Sequence, residues 1–339
     1  MKILLVSSLY PSAREPDYGV FVKGIADELE RLGHELAYAV SDTRAGSALK
    51  HPRLLAAAIG EARSFRPDVV YAHYLVPAGF AAAVAAGAAR APLVLTAHGR
   101  DVKNIGSVRG VAGATRYAVR RASTVIAVSD YLRRELVARL PEVDGRVRVI
   151  DCGVDLERFR GRDAVEARRE VGWEGEPPFY LCVGTLDGRK NVLRLADAFA
   201  GLGTGSLAFV GDGPYRAELE GRPGVTVVGR VPHDRVAEWM AASDVVCQPS
   251  PVEAFGQAIL EGMASERSVV ATMVGGPPEF VTEEAGALVD PTSTEAIEIG
   301  LRTAAALPSP NRAARAAAAE HGIRRQAERV ARVLEAAAE

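Results

Sequence analysis

A chain of 339 residues is longer than one hydrophobic core usually serves, so two domains of roughly 150 residues each are expected. With 48% hydrophobic and 25% charged residues, the composition excludes a disordered or fibrous chain. The net charge is only −2, but residues 1–150 hold 21 Lys and Arg against 14 Asp and Glu, while residues 151–339 hold 20 and 29. The basic first half indicates an anionic partner, either a substrate or a membrane surface, although solvated charge is the commoner explanation.

The chain shows no sign of secretion or of a membrane span. The opening MKILLVSSLYP is too short for a signal sequence and predicts a first buried strand. The most apolar segment, Leu75 to Ala89, is shorter than the ~20 residues that a membrane span needs. Cys152, Cys182 and Cys247 form no CxxC pair, which indicates a reducing compartment, and we interpret all three as buried thiols. We therefore expect a cytoplasmic protein.

Short apolar, β-branched runs alternate with helical patterns along the chain. The predicted strands are ILLVSS, ELAYAV, VVYAH, PLVLTAH, TVIAVS and RVRVID in the first half, and FYLCVG, LAFVG, VTVVG, VVCQPS, SVVAT and ALVD in the second. Helical stretches such as Phe21 to Leu32, Arg116 to Ala122 and Tyr131 to Arg139 suit crossover connections. The alternation predicts an α/β protein with two doubly wound parallel sheets.

A domain boundary is predicted between Asp155 and Pro178, because this stretch lacks a strand pattern and ends in the turn-rich GWEGEPP. We predict an N-terminal domain over residues 1–158 and a C-terminal domain over residues 159–308. Residues 309–339 are rich in Ala, Arg and Glu and predict a helical tail that packs on either domain. Two such domains would enclose a cleft.

The window from Pro249 to Val281, PSPVEAFGQAILEGMASERSVVATMVGGPPEFV, contains the carboxylates Glu253 and Glu261. We predict a helix that ends near Ala264 and whose first turn consists of Ala254, Phe255 and Gly256. Unpaired amides at such a helix start suit a diphosphate, and Gly256 allows its close approach. Eight helical residues rise about 12 Å, so the two carboxylates would contact opposite ends of a nucleotide sugar. For an arbitrary pair of glutamates, a helix cap and a surface residue would be the simpler interpretation.

Three further residues are candidates for the same site. Lys190, in VGTLDGRKN after a strand, is suited to neutralising a departing diphosphate, although a lone strand-end lysine is usually solvated. His98 ends a strand in TAHGRDV, at the edge where open α/β sheets bind ligands, or is a structural histidine. Gly19, in DYGVFV, allows a positive φ and a close approach where a loop meets the first helix, or is an ordinary turn glycine.

Two other kinds of site are not supported by their motifs. GLGTGSLA, at residues 201–208, follows a helix and precedes a strand, which is the wrong context for a dinucleotide fingerprint. The six histidines show no metal-ligand spacing and no Asp-x-Asp occurs, so we expect no metal.

The Pro249 to Val281 window closely resembles the E-x7-E region of family 4 retaining glycosyltransferases, which have the GT-B fold of two Rossmann-like domains. Further similar segments follow in the family's order between residues 11 and 297. They are PSAREPDYGVFVKGIADELERLGHE, TAHGRDV, VIAVSDYLRREL, CGVDLERF, VGTLDGRKN, VGDGP, VVGRVPHDRVAEWMAASDVVCQPS and ALVDPTSTEAI. The resemblance therefore covers nearly the whole chain.

The resemblance implies a role for each candidate residue. Glu253 would contact the donor sugar, Glu261 the ribose and Lys190 the donor phosphates. His98 would lie by the donor sugar and Gly19 by the phosphates, with Ala254, Phe255 and Gly256 completing the donor site. The family commonly has Arg where this chain has Thr185, which leaves Arg189 and Arg230 as alternative sources of the missing charge.

The implied activity is that of a hexosyltransferase that retains the anomeric configuration by front-face attack, without a metal or any cofactor besides the nucleotide sugar. The N-terminal domain would bind a saccharide or lipid-linked acceptor. The alternatives are a nucleotide-sugar epimerase of the same architecture and a non-catalytic nucleotide-sugar-binding protein. Weak association with the anionic inner face of a membrane is expected through Arg109, Arg116 and Arg120, and no nucleic acid partner is expected.

Overall fold

The chain divides into two units, each built around its own parallel sheet. The computed structural model describes residues 1–44 and 49–339. The first unit comprises residues Met1–Gly153 and Ile323–Glu339, and the second comprises Val154–Gly322.

The first unit has a parallel sheet in the order β2-β1-β3-β4-β5-β6. Its strands are β1 (Lys2–Ser7), β2 (Glu35–Val40), β3 (Val69–His73), β4 (Leu93–Ala97), β5 (Thr124–Ala127) and β6 (Val147–Val149). Its helices from this part of the chain are α1 (Val20–Arg31), α2 (Lys50–Phe65), α3 (Ala78–Ala89), α4 (Arg100–Lys103), α5 (Val111–Arg121) and α6 (Asp130–Arg139). Every residue of β3 and β4 is buried, which explains why both strands are mainly apolar.

The second unit has a parallel sheet in the order β12-β11-β10-β7-β8-β9. Its strands are β7 (Phe179–Val183), β8 (Ser206–Val210), β9 (Val225–Gly229), β10 (Val245–Gln248), β11 (Ser268–Thr272) and β12 (Gly286–Val289). Its helices are α7 (Ala164–Val171), α8 (Val192–Leu202), α9 (Arg216–Leu219), α10 (His233–Ala242), α11 (Gln257–Ala264), α12 (Thr294–Ala305) and α13 (Arg312–Ala319). The predicted class, two doubly wound parallel sheets, is confirmed.

The last helix, α14 (Ile323–Ala338), belongs to the first unit. Its Val330 and Leu334 are buried in the same cluster as Ile3 of β1 and Val22 of α1. Burial of this apolar face anchors the end of the chain on the first sheet.

The boundaries of the units fall after Gly153 and Gly322, whereas the sequence predicted them after residues 158 and 308. Helix α13 lies in the second unit because the Arg315 guanidinium ties it to the chain that enters this unit. That guanidinium donates to the carbonyl oxygens of Leu156 (3.0 Å), Phe159 (2.7 Å) and Ala264 (2.5 Å). A single side chain thus links segments far apart in the sequence.

Each sheet has one point where the strand order reverses. In the second unit the chain leaves β7 towards β8 on one side and leaves β10 towards β11 on the other, although β7 and β10 are hydrogen-bonded neighbours. The same reversal separates β1 from β3 in the first unit. Open α/β sheets bind ligands at the carboxyl ends of the strands at such points.

Within the described residues, no helix has both the length and the apolar character needed to cross a bilayer. Helix α3, which carries the most apolar segment of the sequence, has 12 residues.

Candidate functional site

A cation and a carboxylate meet at the reversal point of the second sheet. Lys190 lies in the loop after β7 and Glu253 in the loop after β10, and Lys190 Nζ is 2.8 Å from Glu253 Oε2. The Ser250 hydroxyl donates to the same carboxylate oxygen at 3.1 Å. The two charged side chains are 26% and 18% exposed, so solvent screens the ion pair only in part. The fold thus brings two of the residues singled out in the sequence into direct contact.

The backbone beside Lys190 is held by Asn191. The Asn191 amide nitrogen donates to the carbonyl oxygens of Pro249 (2.9 Å) and Pro291 (2.8 Å), which follow β10 and β12. Asn191 itself adopts a left-handed conformation, with φ of 58°, at the start of α8. These bonds join three loops at the carboxyl edge of the sheet and position Lys190 before any ligand binds.

The loop that carries Glu253 is held by the two glycines after β11. The Glu253 N–H donates to the Val274 carbonyl at 3.1 Å, and the Gly276 N–H donates to the Glu253 carbonyl at 2.8 Å. A Cβ atom on Gly275 would lie 1.9 Å from the Glu253 carbonyl oxygen, so only glycine allows this approach. The glycine pair therefore positions the carboxylate of Glu253 through its backbone.

The predicted start of the helix is wrong. Helix α11 begins at Gln257, and Gly256, with φ of 107°, precedes it. Glu253 forms a β-bridge with Gly275, and the three residues after it do not form the predicted first turn, because the loop after β11 supplies hydrogen-bond partners that the sequence pattern does not reveal. Ala254 therefore also lies outside the helix, and the 12 Å helical rise does not describe the separation of Glu253 and Glu261.

The N-terminus of α11 remains suited to an anion. Its preceding residue, Gly256, has no side chain to cap the helix, and no acidic residue stands in the first turn. Phe255 is buried and packs on Phe280, with ring centroids 5.2 Å apart, which anchors the loop against the core. The positive end of the helix dipole and the first free amide groups of α11 therefore follow Glu253 closely in the sequence.

Glu261 is a buried carboxyl on α11 and is 7% exposed. The Gln257 amide donates to its Oε1 at 3.3 Å. Burial raises the pKa of Glu261 to about 7, although the Gln257 bond and the positive charge of Arg158 act in the opposite direction. At neutral pH the Glu261 side chain is therefore partly protonated. A ligand that donates hydrogen bonds to Glu261 would favour its ionised form.

The three positions considered for the missing family arginine differ in their surroundings. Thr185 is exposed in the loop after β7. The Arg189 guanidinium is bound by Asp187, with nitrogen–oxygen distances of 2.8 and 2.7 Å, and is 63% exposed. Arg230 is exposed after β9, two strands from β7, and forms no ion pair within the described part of the chain. Asp187 thus already neutralises Arg189, whereas Arg230 has no ion-pair partner among residues 1–44 and 49–339.

Gly19 lies in the first unit, where the loop after β1 meets α1. Its φ is 78°, and a Cβ atom here would come within 2.7 Å of the carbonyl carbon and oxygen of Leu9. The packing of the loop on itself therefore already requires glycine at this position.

His98, also in the first unit, follows β4 and contacts a second histidine that the sequence analysis missed. Its Nε2 is 3.0 Å from Nδ1 of His73, the last residue of β3, and its Nδ1 is 3.8 Å from Cys152 Sγ. Burial lowers the pKa of both imidazoles, that of His73 to about 3. The sequence held part of the signal, because the consecutive predicted strands VVYAH and PLVLTAH both end in histidine. That the two strands are neighbours in the sheet is known only from the structure.

Two side chains beside His98 complete this part of the first unit. The buried Asp101 carboxylate accepts backbone N–H groups in the loop after β4, those of Leu75, His98, Gly99 and Val102. Cys152 is half-buried, so the prediction of three buried thiols is wrong for it, while Cys182 and Cys247 are buried; all three are free. Asp101 thus holds the backbone of His98 in place.

The comparisons with known proteins identify the family. Residues 19–158 match the family model described as "Glycosyltransferase Family 4", and residues 177–305 match "Glycosyl transferases group 1". The putative teichuronic acid biosynthesis glycosyltransferase TuaC of Bacillus subtilis is 30% identical over 343 residues, which cover 88% of this chain and 87% of that protein. The chain belongs to glycosyltransferase family 4. This family 4 glycosyltransferase is therefore an enzyme of the transferase class, as predicted.

Solved structures show that this glycosyltransferase has the GT-B fold. Sucrose-phosphate synthase from Thermosynechococcus elongatus superposes with a TM-score of 0.79 at 21% identity, over 98% of each chain. Anabaena HepE in complex with UDP-glucose superposes with a TM-score of 0.78 at 23% identity, over 99% of this chain and 100% of that one. Across residues 1–44 and 49–339 of the glycosyltransferase, no group of three or more His, Cys, Asp or Glu side chains is arranged to hold a metal ion.

Proposed function

We propose that this glycosyltransferase moves a sugar from a nucleoside diphosphate sugar to an acceptor hydroxyl, with retention of configuration and without a metal ion. The second unit would bind the donor and the first unit a saccharide or lipid-linked acceptor. The observation that carries the proposal is the contact between Lys190 and Glu253 at the reversal point of the second sheet. The likeness to a fold that HepE uses to bind UDP-glucose supports the choice of donor class.

The donor diphosphate would be bound by Lys190 and the N-terminus of α11. A cation and a helix N-terminus both favour the charge that grows on the leaving group as the glycosidic bond breaks. Lys190 would exchange its ion pair with Glu253 for the diphosphate. The released Glu253 carboxylate would then accept hydrogen bonds from hydroxyls of the transferred sugar.

Glu261 would accept the ribose hydroxyls of the donor, and Gly256 would allow the phosphates to approach the backbone. In the first unit, His98 would act at the transferred sugar and Gly19 at the phosphates, as the family resemblance implies. Attack by the acceptor hydroxyl on the face from which the diphosphate leaves would retain the configuration within a short-lived ion pair. Catalysis of this kind is mainly electrostatic and positional.

Binding of the donor should depend on pH through Glu261. Because the raised pKa of Glu261 is about 7, the carboxylate that accepts ribose hydroxyls forms as the pH rises from 6 to 8. We expect the affinity for a nucleotide sugar, whose diphosphate does not titrate in this range, to increase over that interval by calorimetry. Glu261→Gln should bind about tenfold or more weakly at pH 8, because it loses a charge-assisted bond, and its affinity should be independent of pH. A parental affinity that is flat between pH 6 and 8 would contradict the assignment.

The same raised pKa has a consequence for stability. Between the ordinary pKa of 4.5 and about 7 the folded protein binds more protons at Glu261 than the unfolded chain does, so the free energy of unfolding falls as the pH rises through this window. Glu261→Gln should therefore have a higher Tm than the parent above pH 7 and a similar Tm near pH 5.

An exposed basic surface on the first unit supports reversible binding to anionic membranes. Arg116 and Arg120 lie one turn apart on α5, and Arg109 precedes that helix. Val108 and Tyr117 are exposed beside them, 46% and 37% respectively. Such a mixture of arginines with apolar and aromatic side chains suits the interface of an anionic bilayer.

Flotation with phosphatidylserine liposomes at low salt should therefore recover the protein, and recovery should fall as the ionic strength rises. The double variant Arg116→Glu with Arg120→Glu should float much less. Arg235→Glu with Arg312→Glu makes the same change in net charge at exposed sites of the second unit and should float like the parent. Equal flotation of both double variants would show that net charge, and not this surface, controls binding.

The proposed function is tested first by a thermal-shift screen of UDP, GDP and ADP sugars. A ligand at 100 times its Kd adds about 2.7 kcal/mol to the free energy of unfolding, so the correct donor should stand out. The selected donor is then incubated with saccharide and lipid-linked acceptors, with and without EDTA, and the anomeric configuration of the product is determined by NMR.

Each outcome of this experiment separates the proposal from its alternatives. Equal rates with and without EDTA and an anomer that matches the donor are expected. Conversion of the donor sugar without an acceptor would indicate an epimerase, and donor binding without transfer to any acceptor would indicate a binding protein. An inverted product would refute the retaining mechanism.

A further inference from the structure

The second histidine in the first unit has a contact that the proposed function does not use. His73 is 2% exposed, and its Nδ1 is 3.0 Å from His98 Nε2. The two rings are stacked, with centroids 5.2 Å apart and planes inclined by 23°. We propose that His73 is a positioning residue that fixes the ring orientation and the tautomer of His98. This inference rests on the role at the transferred sugar that the proposed function gives to His98.

The direction of the hydrogen bond follows from the partners of the outer nitrogens. Both rings are neutral, because burial lowers the pKa of each, so each carries a single N–H. If His98 donated, the only proton of His73 would sit on Nε2, which has no hydrogen-bond partner among the residues that the structure describes. Orphaned buried N–H groups are rarer than unfilled acceptors in protein backbones, and the same preference applies to an imidazole. We therefore take His73 Nδ1–H as the donor to His98 Nε2 in this proposal.

This arrangement determines the state of His98. With Nε2 as the acceptor, the proton of His98 is on Nδ1 and faces Cys152 Sγ, a weak acceptor at 3.8 Å. Packing supports the same orientation, since the rings of Phe21 and Tyr74 lie 4.9 and 4.6 Å from the His98 ring. His98 is thus held on several sides by its own unit.

The tautomers can be read directly from long-range ¹H–¹⁵N correlation spectra of the 339-residue chain, which has six histidines. The ring signals that disappear in His73→Phe belong to His73, and those that disappear in His98→Phe belong to His98. We expect both rings in the parent to be neutral and protonated on Nδ1 at pH 7. In His73→Phe the His98 ring should shift to the Nε2–H form or to a mixture, whereas in His73→Asn, whose amide N–H replaces the donor, it should keep the parental form.

Kinetics separate positioning from a general structural role. His73→Phe should lower kcat about tenfold or more with little change in the KM of the donor, a loss similar to that seen when the partner behind a metal-bound histidine is removed. His73→Asn should restore most of kcat. If His73 had only a structural role, both variants would lose stability to a similar extent and the His98 tautomer would not change.

Parental spectra with the His98 proton on Nε2 would overturn the inference, as would an unchanged His98 tautomer in His73→Phe. If that variant does not fold, the spectra of the parent and of His73→Asn still decide. Absence of transfer by the parent itself would refute the proposed function, while the ring spectra would continue to report on His73.

Discussion

Replacement of Glu253 by glutamine is expected to lower kcat for sugar transfer by at least about 100-fold, equivalent to about 2.7 kcal/mol of transition-state stabilisation. The amide keeps the shape of the side chain but loses the charge that would stabilise the transferred sugar. The affinity for the nucleoside diphosphate should stay the same or increase. The reason is that the free protein holds Lys190 in an ion pair with Glu253, and glutamine no longer competes with the phosphates for that cation.

Steady-state transfer rates and calorimetric Kd values for the nucleoside diphosphate measure the two effects separately. Glu283→Gln is the matched control and should behave like the parent. Glu283 is an exposed glutamate that follows the loop of Gly275 and Gly276 in the sequence. If Glu253→Gln had the turnover of the parent, Glu253 would have no catalytic role. A large loss of nucleoside diphosphate affinity would instead place this carboxylate at the nucleoside, where it would accept hydrogen bonds.

Replacement of Lys190 by alanine should lower turnover by two or more orders of magnitude with a smaller loss of donor binding. Asn191 holds the backbone beside Lys190 against the loops after β10 and β12, so the Lys190 side chain has only to leave Glu253 to meet the phosphates. Lys190→Ala also leaves the half-buried Glu253 without its ion-pair partner. The effects of Lys190→Ala and Glu253→Gln should therefore not be additive in the double variant.

Arg189→Ala is the matched control for Lys190→Ala, because Asp187 already binds the Arg189 guanidinium. It should retain nearly parental rates, and Thr185→Arg, which restores the family pattern, should leave activity intact or raise it. If Arg189→Ala were almost as harmful as Lys190→Ala, Arg189 would be the second phosphate cation despite its ion pair. Near-parental turnover by Lys190→Ala would refute the whole leaving-group assignment.

The predicted strands appear in the structure because buried parallel strands leave a strong local signal. A strand with neighbours on both sides and helices on both faces is buried along its whole length, as β4 and β8 are, and such a strand is mainly apolar. The alternation of such runs with helical patterns is sufficient to predict doubly wound sheets. The spacing of Glu253 and Glu261 and the family resemblance selected most of the candidate residues in the second unit.

Long-range contacts decided the features that the sequence analysis did not predict. The start of α11 depends on a bridge between Glu253 and Gly275, and the position of α13 depends on Arg315 reaching carbonyl groups far away in the chain. The pKa of Glu261 depends on burial, which a local pattern does not report. Each of these is a property of neighbours that come together only when the chain folds.

The sequence by itself determined the α/β architecture, the family and the residue types that carry the chemistry, because these are written in local periodicity and in motifs of short span. Only the tertiary structure decided which of those residues meet. It paired Lys190 with Glu253 by making β7 and β10 neighbours, and His73 with His98 by making β3 and β4 neighbours. Strand order is set by packing over the whole sheet, so these pairings are not encoded at any single position in the chain.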